Sequence, residues 1–131
     1  MSRDDAVAML DRFLALTAER KLDEAATCLA PDAVLTFPPS MRFNSLQEMV
    51  ANARTRYRWC DKVRDRWDVA EREDGAVVVY SLGTLFGDNL HGVHFEGIRY
   101  IDRFVLRDGK IVEQEVWNDL DSSGALTKTT E

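Results

Sequence analysis

Gly92-Val93-His94-Phe95-Glu96-Gly97-Ile98-Arg99-Tyr100-Ile101-Asp102-Arg103-Phe104-Val105-Leu106-Arg107-Asp108-Gly109-Lys110-Ile111-Val112-Glu113-Gln114-Glu115-Val116-Trp117-Asn118-Asp119-Leu120 reads as one long strand, a tight turn and a second long strand. The first strand runs over 93–106, the turn over 107–110 and the second strand over 111–118. Asp108-Gly109 between two β-rich runs is the strongest short-range hairpin signal, because glycine accepts positive φ without a Cβ clash. Glu113 and Glu115 lie on the second strand, with Trp117, Asn118 and Asp119 at its far end. Acids among aromatic residues at a strand end look like one wall of a small-molecule pocket.

Working outward, Val77 to Phe86 is a further strand, entered through the turn Glu73-Asp74-Gly75-Ala76. From Lys62 the pattern alternates, and a simple period of two puts Val63, Asp65, Trp67 and Val69 on one face and Arg64, Arg66 and Asp68 on the other. Upstream, Ser45-Leu46-Gln47-Glu48 is a capping box opening a helix, with Leu46, Met49, Val50, Ala53 and Tyr57 as its inward stripe. The N-terminal half predicts a helix over about Asp4–Arg20, striped by Val7, Leu10, Phe13, Leu14 and Leu16. A short helix of about Asp23–Leu29 stops before Pro31, and a brief strand Ala33–Phe37 is closed by Pro38-Pro39. Residues 121–131 are small and polar and read as a loose tail.

The chain has 131 residues, 45% hydrophobic and 31% charged, the size and balance of one globular domain covering 1–131. No apolar run reaches the ~18 residues a bilayer demands, and Met1-Ser2-Arg3-Asp4-Asp5 is too polar for a signal peptide, so the expectation is cytoplasmic, with no membrane partner. Cys28 and Cys60 lack CxxC spacing and clustered histidines, and read as free thiols. A net charge of −6 argues against nucleic acid. One stretch departs from that balance: Arg54, Arg56, Arg58, Lys62, Arg64 and Arg66, with Tyr57 and Trp59 interleaved. It reads first as a solvated helix end running into a solvated strand face, and second as a holder for an anionic ligand.

The strands Val77–Phe86 and Val93–Leu106 are apolar on both faces. A sheet with helices on one side and water on the other should alternate cleanly. With no helix left to cover the second face, a homodimer through the outer face of the sheet is expected.

This order of helix, short helix, short strand, capped helix and long antiparallel strands resembles the SnoaL-like branch of the nuclear transport factor 2-like superfamily. Asp108-Gly109-Lys110-Ile111-Val112-Glu113 through Asp119 is similar to the family's "DGKIVE…D" ending, and Gly83-Thr84 with Gly87 to its Gly-Thr-x-x-Gly run. The resemblance implies an α+β fold, a cone-shaped curved antiparallel sheet wrapped around three N-terminal helices (a cystatin-like α+β barrel), with a pocket at its open end. It also implies a catalytic acid or base at Asp119, ten residues after Gly109. There are departures. Leu85 stands where the cyclases put a histidine after Gly-Thr, and Val77–Phe86 lacks the Arg-x-Asp of the related epoxide hydrolases.

Several residue types suit proton transfer. A carboxylate at the mouth of an apolar pocket loses hydration and gains basicity, which favours Asp119, capping of the chain end being the bland alternative. His94 and Glu96 share a strand face by period two, continued by Tyr100 and Asp102; imidazole beside an acid is a plausible proton carrier, or simply an exposed loop pair. Tyr80, mid-strand among valines, could polarise a carbonyl or merely pack the core. Trp117, Phe37, Tyr57, Trp59 and Asp65 are the candidate pocket wall. No phosphate loop, dinucleotide fingerprint or nucleophile elbow is present, so neither cofactor nor metal is expected.

The resulting expectation is a cofactor-independent general acid/base enzyme of the isomerase, dehydratase or aldol-type cyclase kind. It would act on a small hydrophobic carbonyl-bearing molecule, with Asp119, His94, Glu96 and Tyr80 as catalytic groups. The alternatives are a non-catalytic small-molecule-binding or association module, and a small structural subunit of an oxygenase.

Overall fold

The computed structural model of the chain describes residues 1–128. The elements run α1 (Arg3–Ala18), α2 (Leu22–Ala26), β1 (Leu29–Phe37), β2 (Met41–Phe43), α3 (Leu46–Ala53), β3 (Tyr57–Glu71), β4 (Val77–Asn89), β5 (His94–Arg107) and β6 (Lys110–Asn118). They form one curved six-stranded sheet in the order β2-β1-β6-β5-β4-β3, with the helices on its inner face. β3 to β6 are an antiparallel meander, while β1 returns beside β6 in parallel, pairing Leu35 with Gln114.

Both longer helices start where side chains satisfy the free amides. Ser2 Oγ accepts from Asp5 N and Ser45 Oγ from Glu48 N. The Glu48 carboxylate reaches back to the Asn44 amide rather than to that of Ser45. The short helix ends at Ala26, earlier than expected, and the strand takes over at Leu29, so Pro31 stands near a strand start. Tyr57 opens β3 instead of closing the third helix. The buried stripe of α1, with Leu10 and Phe13, sits on the inner face of the sheet, where Phe13 meets Phe104 edge-on at 6.1 Å between ring centres.

The curvature is built by bulges, and each one reverses which side chains face inward. In β3 the register slips between Tyr57 and Trp59 and again between Arg64 and Arg66. Lys62 and Arg64 therefore face the interior, and so, after the second slip, do Trp67 and Val69, which join the core. Gly83 and Gly87 of β4 lie where β3 presses closest. A Cβ on Gly83 would stand 2.0 Å from the Val63 carbonyl oxygen, and one on Gly87 2.2 Å from that of Trp59. The Gly-Thr-x-x-Gly run thus has a steric cause. In β5 a third slip spans Phe95 to Ile98 around Gly97, whose φ is +71°.

Much of the expected tail from residue 121 onward packs instead. Ala125 and Leu126 join Leu120 in a second core cluster with Leu85, Phe95 and Tyr100. Buried Asn89 clamps this strap, donating from Nδ2 to the carbonyls of Ala125 and Thr127 while its Oδ1 accepts from His91 N and Val93 N. The end of the expected tail, 129–131, lies outside the described residues.

Candidate functional site

A cavity of about 130 Å³ lies between the helices and the inner face of the sheet. Phe13 and Leu14 from α1, Phe37 from β1, Met49 from α3, Leu85 from β4 and Val116 from β6 supply its apolar surface. Its polar groups include Arg20, Arg56, Tyr57, Asp61, Lys62, Arg64, Tyr100, Gln114 and Asn118. An apolar hollow with a few convergent polar groups is the form that small-molecule sites take.

Its chemical centre is an ion pair. Lys62 Nζ donates to Asp102 Oδ2 at 2.7 Å, and Asp102 is fully buried while the Lys62 side chain keeps 24% of its exposure. Asp102 lies on β5 between Ser81 of β4 and Val116 of β6, all on the inner face. Its other oxygen, Oδ1, is buried without a hydrogen-bond partner among the described residues, an expensive state for a carboxylate. Lys62 Nζ also stands 5.3 Å from the centre of the Tyr100 ring, and the Tyr100 hydroxyl shares a 3.2 Å hydrogen bond with Ser81 Oγ.

Burial by itself would lower the Lys62 pKa, but the charge of Asp102 and its hydrogen bond outweigh it and hold it above the usual lysine value. Lys62 is therefore a permanent ammonium, unsuited to be a free amine nucleophile. Burial raises the pKa of Tyr57 and that of Tyr100, so both keep their protons and can donate. The Cys60 thiol is pushed up to about 11, chiefly by burial, and stays protonated. Arg56 grips Asp121 through two hydrogen bonds of 3.0 Å and also donates to the Pro38 carbonyl, tying the C-terminal strap to the pocket wall.

The residues singled out in the sequence divide. Phe37 and Tyr57 line the cavity as expected. Asp119 does not. Tyr100 pairs with Asn118, which brings Asn118 inward and leaves Asp119 on the outer side, bound to Arg99 Nε at 2.9 Å. His94 and Glu96 are exposed at the end of β5, where His94 Nδ1 meets Asp88 at 2.9 Å and Nε2 meets Glu96 at 3.5 Å. The bulge at Gly97 separates them from Tyr100 and Asp102, so the shared face expected from period two is broken. Tyr80 turns outward to Ala76, Val78 and Val105, because its neighbours Val79 and Ser81 hold the inner positions. Trp59 packs on Phe86 and beside His94, and Asp65 and Trp117 border an outer groove. Among the described residues, no three His, Cys, Asp or Glu side chains are placed to share a metal ion.

Lys62, Asp102, Arg20, Asn118 and Gln114 escaped selection as site residues. A signal was present for Asp102: an acid flanked at two-residue spacing by Tyr100 and Phe104, all facing one side of a strand. Lys62 lay in the basic stretch, and only the bulges decide which members of it turn inward.

Fold and cavity together define a hollow cone of the nuclear transport factor 2-like type. The SnoaL-like domain model matches residues 10–114, and the chain belongs to that family. Three solved structures of similar fold span nearly the whole chain. TerC, co-crystallised with polyporic acid, is 18% identical with a TM-score of 0.74, over 95% of this chain and 99% of its own. An NTF2-like protein of unknown function from Burkholderia pseudomallei is 18% identical with a TM-score of 0.75, over 98% and 100%. A protein classed as a SnoaL-like polyketide cyclase, from Jannaschia sp. CCS1, is 17% identical with a TM-score of 0.70, over 98% and 97%. At these identities the likeness is one of fold. No curated protein matches the chain.

Proposed function

We propose that the chain is a cofactor-independent enzyme of the isomerase, dehydratase or aldol-cyclase kind, acting on a small carbonyl compound held in the cone. The observation that carries this reading is Lys62 on the wall of the cavity, held at 2.7 Å by Asp102 behind it. A substrate oxygen set against Lys62 Nζ meets a fixed positive charge. When a proton leaves the neighbouring carbon, its electron pair moves toward that oxygen, and the ammonium stabilises the enolate that forms. Asp102 touches Lys62 rather than the cavity; it is a positioning residue that keeps the ammonium charged and aimed. Tyr57 is the second donor.

The carbon-bound proton passes to water in this scheme. Asp61 is the carboxylate bordering the cavity, and its pairing with Phe86 turns it to the outer register. The enolate then takes the proton back from water at another carbon, or expels a β-hydroxyl group that leaves as water with that proton, or attacks a second carbonyl of the same molecule whose oxygen takes the proton up. The polyketide cyclase class of one neighbour and the ligand of TerC support a small-molecule reading.

The test is deuterium exchange at the α-carbons of 2-tetralone in D₂O, followed by NMR. The protein should accelerate exchange, and Lys62→Met should lower the protein-dependent rate by about two orders of magnitude, the usual loss of an oxyanion donor. Equal rates for the two proteins would remove Lys62 from the mechanism. A binding module without chemistry is the second reading, favoured because among the described residues no carboxylate other than the outward-turned Asp61 borders the cavity. Exchange no faster than in buffer selects it.

The outer face supports a homodimer. Val63, Ile101 and Trp117 are exposed there at 55%, 37% and 50%, around a groove that also includes Leu82. Such a patch is costly in water and gains from a second copy.

A further inference from the structure

We infer that the cavity selects an anionic ligand, an apolar body bearing a carboxylate or comparably acidic group, over its neutral counterpart. The inference rests on the cavity being the substrate site and sharpens which substrate enters it. Arg20, Arg56, Lys62 and Arg64 all border the cavity, although the chain as a whole carries a net charge of −6. Asp61 is the acid at its border, turned to the outer register beside Phe86. The placement follows from the fold: α1 ends beside Arg20, α3 leads into Arg56, and the first bulge of β3 turns Lys62 and Arg64 inward together.

The four cations differ in what neutralises them. Lys62 has buried Asp102, Arg56 has Asp121 and Arg64 has Asp11 at 2.9 Å. Arg20 bonds only the Thr17 carbonyl, and among the described residues no carboxylate lies within ion-pair distance of it. Arg20, Lys62 and Arg56 line the same cavity as Tyr57, and the charge of each works against the burial that raises the Tyr57 pKa. The result is one cation, Arg20, left without a carboxylate partner among the described residues, on a cavity border that also carries the apolar side chains of Phe13, Leu14 and Met49. A low-dielectric concave wall of one sign focuses its field on whatever enters. A ligand matching both features places an apolar ring or chain on the α1 side and its anionic group between Arg20 and Tyr57. The basic stretch of the sequence is thereby split. Arg56, Lys62 and Arg64 serve the cavity, while Arg66 turns to the outer groove.

The experiment compares trans-cinnamate with cinnamamide, which have nearly the same shape and differ by one charge, by protein NMR titration at low salt. Cinnamate should bind about tenfold more tightly, the preference should shrink in 0.5 M NaCl, and Arg20→Gln should reduce it to about twofold with cinnamamide binding unchanged. A parallel melting curve shows that the variant is folded; if Arg20→Gln melts early, the salt dependence of the wild-type preference decides the same question. Equal binding of the two probes, tighter binding of the amide, or no binding of either at millimolar concentration overturns the inference. A preference for cinnamate together with tetralone exchange independent of Lys62 leaves anion selection standing and removes the catalytic reading. Lys62-dependent exchange with no such preference does the reverse.

Discussion

Two ion pairs on opposite faces of the same sheet have almost the same length and different meaning. On the inner face Lys62 meets Asp102 at 2.7 Å, with side-chain exposures of 24% and 0%. On the outer face Arg99 meets Asp119 at 2.9 Å, with exposures of 84% and 39%. Water screens the outer pair and competes for its hydrogen bonds, so such contacts contribute little. The inner pair has lost that screening, and each partner depends on the other to offset desolvation. Distance alone does not mark a site; the same distance in an apolar cavity does.

The largest expected effect breaks this contrast directly. Asp102→Ala leaves the Lys62 ammonium inside without its counter-charge, and should cost about 3–5 kcal/mol of stability in urea unfolding. Asp119→Ala should cost below about 1 kcal/mol, because Arg99 simply returns to water. The double variant Lys62→Met/Asp102→Leu should recover most of the loss, since an apolar pair of similar volume needs no compensation. Equal losses for the two aspartate variants would erase the distinction between the faces.

Next in size is the association expected of the outer face. Trp117→Arg places a charge in the apolar patch with Val63 and Ile101, and should convert a dimer to a monomer in light scattering, with cinnamate affinity within about twofold of wild type because the cavity opens on the other face. A wild-type protein that already runs as a monomer would remove the outer-face interface.

The inner pair also carries a pH signature. Lys62 has a folded pKa above its unfolded value of about 10.4, so its stabilising contribution is complete below that pH and is lost as pH rises through the higher folded value. The stability difference between wild type and Lys62→Met/Asp102→Leu should therefore be flat from neutrality to about pH 10 and should change only above it. A change centred near neutral pH would assign the titration to another group.

Much of the architecture was legible because it rests on local chemistry: Asp108-Gly109 for the hairpin, Ser45 with Glu48 for the third helix, and the stripe of Leu10 and Phe13 for the first. The site was less legible because it depends on parity, and parity is reset wherever a bulge inserts a residue. Gly97 inside an apolar strand was the visible mark of one such slip, and it moved His94 and Glu96 away from Tyr100 and Asp102. Gly83 and Gly87 marked the other two, through the close approach of β3 that they permit. Asp119 shows the same sensitivity at a strand end: one position separates it from Asn118, which lines the cavity. The parallel pairing of β1 with β6 left no local trace, since its partners are far apart in sequence.

The smallest expected effect concerns His94, the residue whose chemistry looked most like catalysis. Its hydrogen bond to Asp88 raises its pKa, working against desolvation, and Glu96 adds to the rise. An NMR titration should place its midpoint above the ordinary value of about 6.5, and Asp88→Asn should bring it down. This titration should leave the tetralone exchange rate untouched. His94 lies beyond the bulge at Gly97, 51% exposed, and among the described residues no bond connects it to the Lys62–Asp102 pair. His94→Asn should accordingly keep exchange within about twofold of wild type, as expected for a surface substitution far from the cavity. A tenfold loss, or an exchange rate that follows the His94 midpoint, would bring the outer face into the chemistry.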